Sequence, residues 1–168
     1  MDHKVLIAYA TRAGSTAEVA NKIAEVISAK GLEVEVLPVK KVKDLSPYRA
    51  VIVGSAIRAA HWLPEAIDFV EVNKRKLCEI PTAFFTVSLT MSEKTEANLK
   101  KVAAFVDPVR NMCPPKSEAF FAGKMDPKTL SIPTRLMIRA MKTQLGDYRD
   151  WEAVRAWAEE AIGKLALR

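Results

Sequence analysis

The chain has 168 residues, 49% hydrophobic and 27% charged, which suits one globular domain able to bury a sizeable core. No stretch approaches the roughly 20 uninterrupted apolar residues of a membrane-crossing helix, and Met1-Asp2-His3-Lys4 runs into a strand-like segment without a signal peptide's apolar region, so a cytoplasmic protein is expected. The net charge of +6, with a pI near 9.4, admits nucleic acid, anionic lipid or an acidic substrate as partner, whereas Cys78 and Cys113, far apart and in no C-x-x-C arrangement, argue against a disulfide framework or thiol redox motif and are expected as free, mostly buried thiols.

The first element is Lys4-Val5-Leu6-Ile7-Ala8-Tyr9-Ala10, a near-continuous apolar run of strand formers, as expected of a strand covered on both faces by helices. Thr11-Arg12-Ala13-Gly14-Ser15-Thr16 follows, then a helical pattern with Val19, Ile23, Val26 and Ile27 at steps of three and four, ended by Gly31. Glu33 to Val39 alternates as a strand does, and Tyr48 to Ser55 holds a third apolar run that ends at Gly54. Pro64 fits the first turn of the next helix, where a missing amide hydrogen costs little; Ile67, Phe69, Val70 and Leu77 give that helix an apolar face. Pro81 introduces a strand over Thr82 to Leu89, and the Ser92-Glu93 and Thr95-Glu96 pairs offer helix starts ahead of Leu99, Val102, Phe105 and Val106. Glu118 to Gly123 is a short fifth strand, and Asp150 opens a last amphipathic helix with Trp151, Val154, Trp157, Ala158 and Ile162.

Five strands alternating with helices imply a doubly wound parallel sheet in a single α/β domain, because each right-handed parallel crossover needs a helix to return the chain. Ligands in such sheets bind beyond the carboxyl ends of the strands, at the switch point, so chemistry is sought in the loops after strands one, three and four. The first loop puts hydroxyls and a glycine at a helix amino terminus, whose unpaired amides and dipole attract an anion such as a phosphate; a hydroxyl-capped helix without ligand fits the spacing equally well. It lacks the lysine of a nucleotide-triphosphate loop and is not G-x-G-x-x-G. Gly54-Ser55-Ala56-Ile57-Arg58-Ala59-Ala60-His61-Trp62 and Val87-Ser88-Leu89-Thr90-Met91-Ser92 form the other two loops. Their backbone groups suit the polar edge of a ring ligand, with Trp62 either covering the ring's face or packing the start of the following helix. His61 is a candidate proton donor or substrate contact, or a plain surface histidine; Arg58 is a candidate anchor for cofactor or substrate anions, or a solvated rim cation. No acidic cluster of a receiver domain stands at the strand ends, no G-x-S-x-G elbow follows a strand, and His3 and His61 alone make no credible zinc cluster.

Thr11-x-x-Gly14-Ser15-Thr16 after a first strand resembles the flavodoxin phosphate loop, and the element order along the chain is similar to flavodoxins. That resemblance implies a flavodoxin-like five-stranded parallel sheet of order 2-1-3-4-5, and flavin mononucleotide (FMN) held by Thr11, Arg12, Ala13, Gly14, Ser15, Thr16, Ser55, Ala56, Ile57, Trp62, Ser88, Leu89 and Thr90. Gly54-Ser55-Ala56-Ile57-Arg58 with His61, Pro81 to Leu89, and Ala122-Gly123 with a basic insertion before Asp150-Trp151 resemble, over nearly the whole chain, the menaquinone-dependent protoporphyrinogen oxidase branch. The resemblance implies desaturation of protoporphyrinogen IX with a membrane quinone as acceptor, and Arg58 and His61 as candidate catalytic residues. Ala59-Ala60 departs from it, standing where an aromatic residue and a glycine are expected.

The insertion, about residues 124–149, holds six cations and two anions. Pro133 to Leu145 reads as a helix with Arg135, Arg139 and Lys142 on one face and Met137, Ile138, Met141 and Leu145 as a rough apolar counterpart. That pattern suits anionic lipid at the inner membrane surface or a propionate-bearing substrate, and equally a solvated helix packed on the sheet edge; no aromatic residues interleave with the cations for base stacking, so nucleic acid is not expected. An FMN oxidoreductase leads the readings. A flavodoxin-type electron carrier and a flavin-free regulatory or scaffold protein are the rivals.

Overall fold

The computed structural model describes residues 4–126, 128, 131–140 and 146–167. Strands β1 (Lys4–Ala10), β2 (Val34–Pro38), β3 (Tyr48–Arg58), β5 (Thr82–Ser88) and β6 (Ser117–Ala122) form one parallel sheet in the order β2-β1-β3-β5-β6. Counted as full strands, this is the expected 2-1-3-4-5. Helices α1 (Ser15–Ser28) and α5 (Trp151–Lys164) cover one face, and α2 (Pro64–Glu79) and α3 (Glu96–Met112) cover the other.

Side-chain alternation along each strand builds both cores at once. Val5 and Ile7 of β1, Ala50 and Ile52 of β3, and Ala83, Phe85 and Val87 of β5 meet Ile23 of α1 and Trp157 of α5. Leu6 and Ala8, Val51 and Val53, and Phe84 point the other way, to Phe69 and Leu77 of α2 and Val106 and Val109 of α3. Phe85 is fully buried and packs against Phe121 and Trp157 at ring-centroid distances of 6.5 and 6.3 Å. Its ring occupies the space beside Gly54, its partner across β3 and β5: a Cβ on Gly54 would lie 1.9 Å from Phe85 Cζ. Gly54, inside β3, is therefore a packing requirement of the central sheet.

Helix starts follow the polar residues that precede them. Thr95 caps α3 by accepting from the Asn98 amide at 3.1 Å, and Asp150 caps α5 by accepting from Ala153 at 3.1 Å. Ser92 ends a short 3-10 turn (Leu89–Ser92) instead of starting a helix.

Two small elements were not expected. β3 runs three residues past Ser55, because Ile57 and Arg58 pair with Trp62 and His61 of a short antiparallel strand β4 (His61–Trp62). The turn between them is Ala59-Ala60, with φ of 51° and 64°. Two positive φ angles are the sign pattern of a type I′ hairpin, which matches strand twist but favours Asn-Gly over residues with a Cβ. The insertion begins and ends in a second ribbon, β7 (Lys124–Met125) against β8 (Gly146–Asp147), and contains helix α4 (Ile132–Ala140). The expected continuation through Met141, Lys142 and Leu145 lies outside the described residues. The ribbon's base is pinned by Arg149, whose side chain is 6% exposed. Its guanidinium binds Asp147 at 2.9 and 2.7 Å and Glu18 of α1 at 2.5 Å, and lies 4.7 Å from the Trp151 ring centroid. Asp147 is held down to about 2 by this hydrogen-bonded pairing with Arg149.

Candidate functional site

A cavity of about 420 Å³ opens beyond the carboxyl ends of β1, β3, β5 and β6, within the size range of small-molecule and cofactor sites. Thr11, Arg12, Ala13 and Ser15 of the first loop line it, with Ala56, Ile57 and Arg58 from the end of β3 and Ser88 and Leu89 from the end of β5. The structure thus brings together residues from all three loops that the sequence singled out. It adds Leu63, Val87, Gly123, Lys124, Met125, Ser131, Thr134 and Met137, most of them contributed by the insertion folding back over the site.

The first loop leaves hydrogen-bond donors unpaired. Gly14, at φ 90°, is the N-cap of α1, a backbone conformation that a Cβ disfavours. Its amide donates to Thr11 Oγ1 at 3.0 Å, so the Thr11 side chain closes the loop on itself. No side chain caps α1, which leaves amides of its first turn without an intrahelical partner. Thr16 is fully buried in that turn, and its Oγ1 is the only buried side-chain nitrogen or oxygen among the described residues without a hydrogen-bond partner. An unsatisfied buried hydroxyl costs on the order of 1–3 kcal/mol. Gly123 closes the site from the far side: a Cβ there would be 3.2 Å from Val87 Cγ1 and 3.9 Å from Ser15 Oγ.

Arg12 is committed within the protein. Its guanidinium binds both carboxylate oxygens of Glu65 in the first turn of α2, one of them at 2.9 Å, and Glu65 is held down to about 2 chiefly by that hydrogen bond. The pair ties the first loop to α2. Arg58 is exposed on the cavity, and no ion pair holds it among the described residues; Lys124 lies across the cavity, 3.9 Å from Asp126.

Several expected site residues also make contacts within the scaffold. Trp62 does not cover the cavity: it is 1% exposed, because alternation along β4 turns His61 outward and Trp62 into the core. There its indole N–H donates to Thr86 Oγ1 at 2.9 Å, and its ring meets Phe84 edge-on at 5.2 Å. Aliphatic side chains, namely Ile57, Leu63, Leu89, Met125 and Met137, supply the apolar lining in its place. Ser55 is fully buried, its Oγ accepting from the Leu63 amide at 3.0 Å and donating to the Ala56 carbonyl at 2.8 Å, which fixes the path from β3 to α2. Ser88 Oγ accepts from the Thr90 amide at 3.2 Å, and Thr90 stands off the lining. His61 is exposed opposite Arg58 in the hairpin and also stands off the lining.

The model of the flavodoxin domain family matches residues 6–152. The chain belongs to the flavodoxin family. Among solved structures this flavodoxin-family chain is similar to the Streptococcus pneumonia TIGR4 flavodoxin (TM-score 0.62, 20% identity, covering 96% of this chain and 99% of that one). It is also similar to a flavodoxin from the domain Archaea (TM-score 0.59, 17% identity, 97% and 99% covered). Among curated relatives it is 27% identical over 170 residues to the protoporphyrinogen IX dehydrogenase [quinone] of Escherichia coli (strain K12), covering 94% of this chain and 93% of that protein. The protein of the same name from Leishmania major is 27% identical over 171 residues, with 94% and 74% covered.

Proposed function

We propose that this flavodoxin-family protein is an FMN-dependent oxidoreductase that oxidises protoporphyrinogen IX and uses a quinone as electron acceptor. The observation that carries the cofactor is the orphaned Thr16 hydroxyl, buried in the uncapped first turn of α1 beside the cavity. A phosphate group would accept from that hydroxyl, from Ser15 and from the free amides, so the residues present fit FMN. The substrate and acceptor are carried over from the names of the curated relatives.

FMN, when bound, supplies a two-electron acceptor that a quinone then reoxidises. The rest of the work falls to the chain's own side chains. Gly14 and Thr11 shape the phosphate loop, and the Arg12–Glu65 pair holds that loop against α2. Ile57, Leu63, Leu89, Met125 and Met137 make a largely apolar wall that excludes water from a ring system. Arg58 and Lys124 place two cations on the cavity where they would pair with the propionates of a porphyrinogen. His61 beside Arg58 is the candidate proton donor.

The insertion fits a quinone acceptor dissolved in lipid. No helix among the described residues is long and apolar enough to cross a membrane. Ile132, Leu136 and Met137 of α4 are nevertheless 70%, 61% and 55% exposed, beside the exposed Arg135 and Arg139. An apolar strip flanked by cations suits the headgroup region of an anionic bilayer on its cytoplasmic side. A flavodoxin-type electron carrier is the second reading, and membership of the flavodoxin family favours it.

The deciding experiment combines two readouts. Purified protein is dialysed with FMN and its visible absorption recorded, then incubated anaerobically with protoporphyrinogen IX and a menaquinone analogue while porphyrin fluorescence is followed. Retained flavin with quinone-dependent porphyrin formation supports the oxidase. Retained flavin without turnover leaves the electron carrier, and failure to retain FMN overturns the cofactor assignment.

A further inference from the structure

Cys78 and Cys113 take no part in the cavity, yet the fold brings them together. Cys78 lies in the last turn of α2 and is exposed, whereas Cys113 is the C-cap of α3 and 2% exposed. Both helices pack on the same face of the sheet. Cys78 Sγ is 3.7 Å from the carbonyl oxygen of Met112, the residue before Cys113. The separation of the two cysteines in sequence hides a pair that the fold makes neighbours, one open to solvent and one shielded.

We propose that Cys78 and Cys113 are a modification site, an oxidisable pair that closes to a reversible disulfide when the protein meets a hydroperoxide. The Cys78 sulfur attacks the peroxide O–O bond, taking one oxygen as a sulfenic acid and releasing the other as an alcohol or water. The Cys113 sulfur then displaces the sulfenic oxygen, which leaves as water with the proton of the Cys113 thiol. Two thiols lose two electrons and the peroxide gains them. Exposure sets the order of events: Cys78 meets the oxidant, and Cys113 resolves it. Burial and the neighbouring Cys78 push the Cys113 thiol up to about 12, so it is a poor first target and a slow resolver.

The bond would staple the carboxyl ends of α2 and α3, just before β5 and β6 begin. The cavity lies at the opposite ends of those strands, about 20 Å away for strands of this length. Oxidation therefore acts on stability and leaves the cavity lining in place. Closing a loop of about 35 residues raises the unfolding midpoint by about 5–10 °C if native geometry tolerates the bond.

The test is thiol mapping of the whole folded protein. It is treated with hydrogen peroxide, alkylated under denaturing conditions and analysed by intact mass and peptide mapping, before and after dithiothreitol. The expected result is joint loss of both free thiols, a mass lower by two hydrogens, a Cys78–Cys113 cross-linked peptide, and full reversal by dithiothreitol. Under the same dose C78S keeps Cys113 alkylatable, and C113S accumulates oxygen on Cys78. Stepwise oxygen addition to Cys78 with Cys113 still free, a Cys78-linked dimer, or two unreacted thiols would each overturn the proposal. The wild-type map decides the matter even where C113S folds poorly.

Discussion

Replacing Thr16 by valine separates the cost of the empty phosphate site from its use. The two side chains have nearly the same shape, and Thr16 is fully buried, so the substitution removes one hydroxyl and little else. In the protein without flavin that hydroxyl has no partner among the described residues, and an unsatisfied buried polar group costs about 1–3 kcal/mol. T16V should therefore stabilise the flavin-free protein by about 1 kcal/mol, a rise of roughly 2–4 °C in unfolding midpoint for a chain of this size. With FMN the sign reverses, because the variant forfeits a hydrogen bond to a charged phosphate worth about 1.5–3 kcal/mol, or roughly a 10- to 150-fold weaker Kd. Thermal unfolding without flavin and a fluorescence-quenching titration with FMN measure the two effects independently. An unchanged Kd, or a flavin-free variant less stable than the wild type, refutes the assignment of Thr16 as a phosphate ligand.

Three further outcomes follow from the geometry. Gly54→Ala drives a methyl into the Phe85 ring, with the added carbon 1.9 Å from Cζ, and should cost about 3 kcal/mol, read as a fall of roughly 6–12 °C in midpoint. Asn-Gly in place of Ala59-Ala60 matches the positive φ angles of the hairpin and should gain about 1 kcal/mol in chemical denaturation at an unchanged slope. Arg12→Ala frees Glu65, whose carboxyl should move from about 2 back toward its ordinary value of 4.5 in an NMR titration. Because the folded-state value is depressed, the pair's stabilisation is present above about 4.5 and is lost as the pH falls towards 2, so the stability gap between wild type and R12A should close across that window.

The sheet was legible because apolar runs such as Val5 to Ala8 and Ala50 to Val53 carry period-two burial on both faces, and only a parallel sheet between helices uses that pattern. The first loop was legible from its hydroxyls and glycine at a strand-to-helix handover. Trp62 was not, because a tryptophan before a helix reads alike as a ring cover or a core wedge until strand pairing fixes its side. Here β4 pairing with β3 turns it inward, where Thr86 satisfies its N–H. Lys124, Met125, Ser131, Thr134 and Met137 were missed as site residues because their approach to the cavity depends on β7 pairing with β8 across a long stretch of chain. The neighbouring cysteines were hidden for the same reason: helix packing, not local spacing, brings them together.

The places where the chain breaks local rules also locate the site. Three residues other than glycine have positive φ among those described: Ala59, Ala60 and Ala166. Ala166 is explained by helix termination, since its amide donates to the Gly163 carbonyl and that of Leu167 to the Ile162 carbonyl as α5 ends. Ala59 and Ala60 turn the β3–β4 hairpin, where Asn-Gly would serve with less strain, and they immediately follow Ile57 and Arg58 on the cavity wall. The unpaired Thr16 hydroxyl belongs to the residue after Ser15, which lines the same opening. Backbone strain and an unsatisfied polar group each cost free energy that a sequence selected for stability alone would remove, by glycine in the hairpin and valine in the helix. Both features adjoin residues of one cavity, and under the proposed function a phosphate would accept from the hydroxyl while the hairpin borders the ring. On that argument T16V and the Asn-Gly hairpin should each leave a better-folded protein, and T16V a worse flavoprotein.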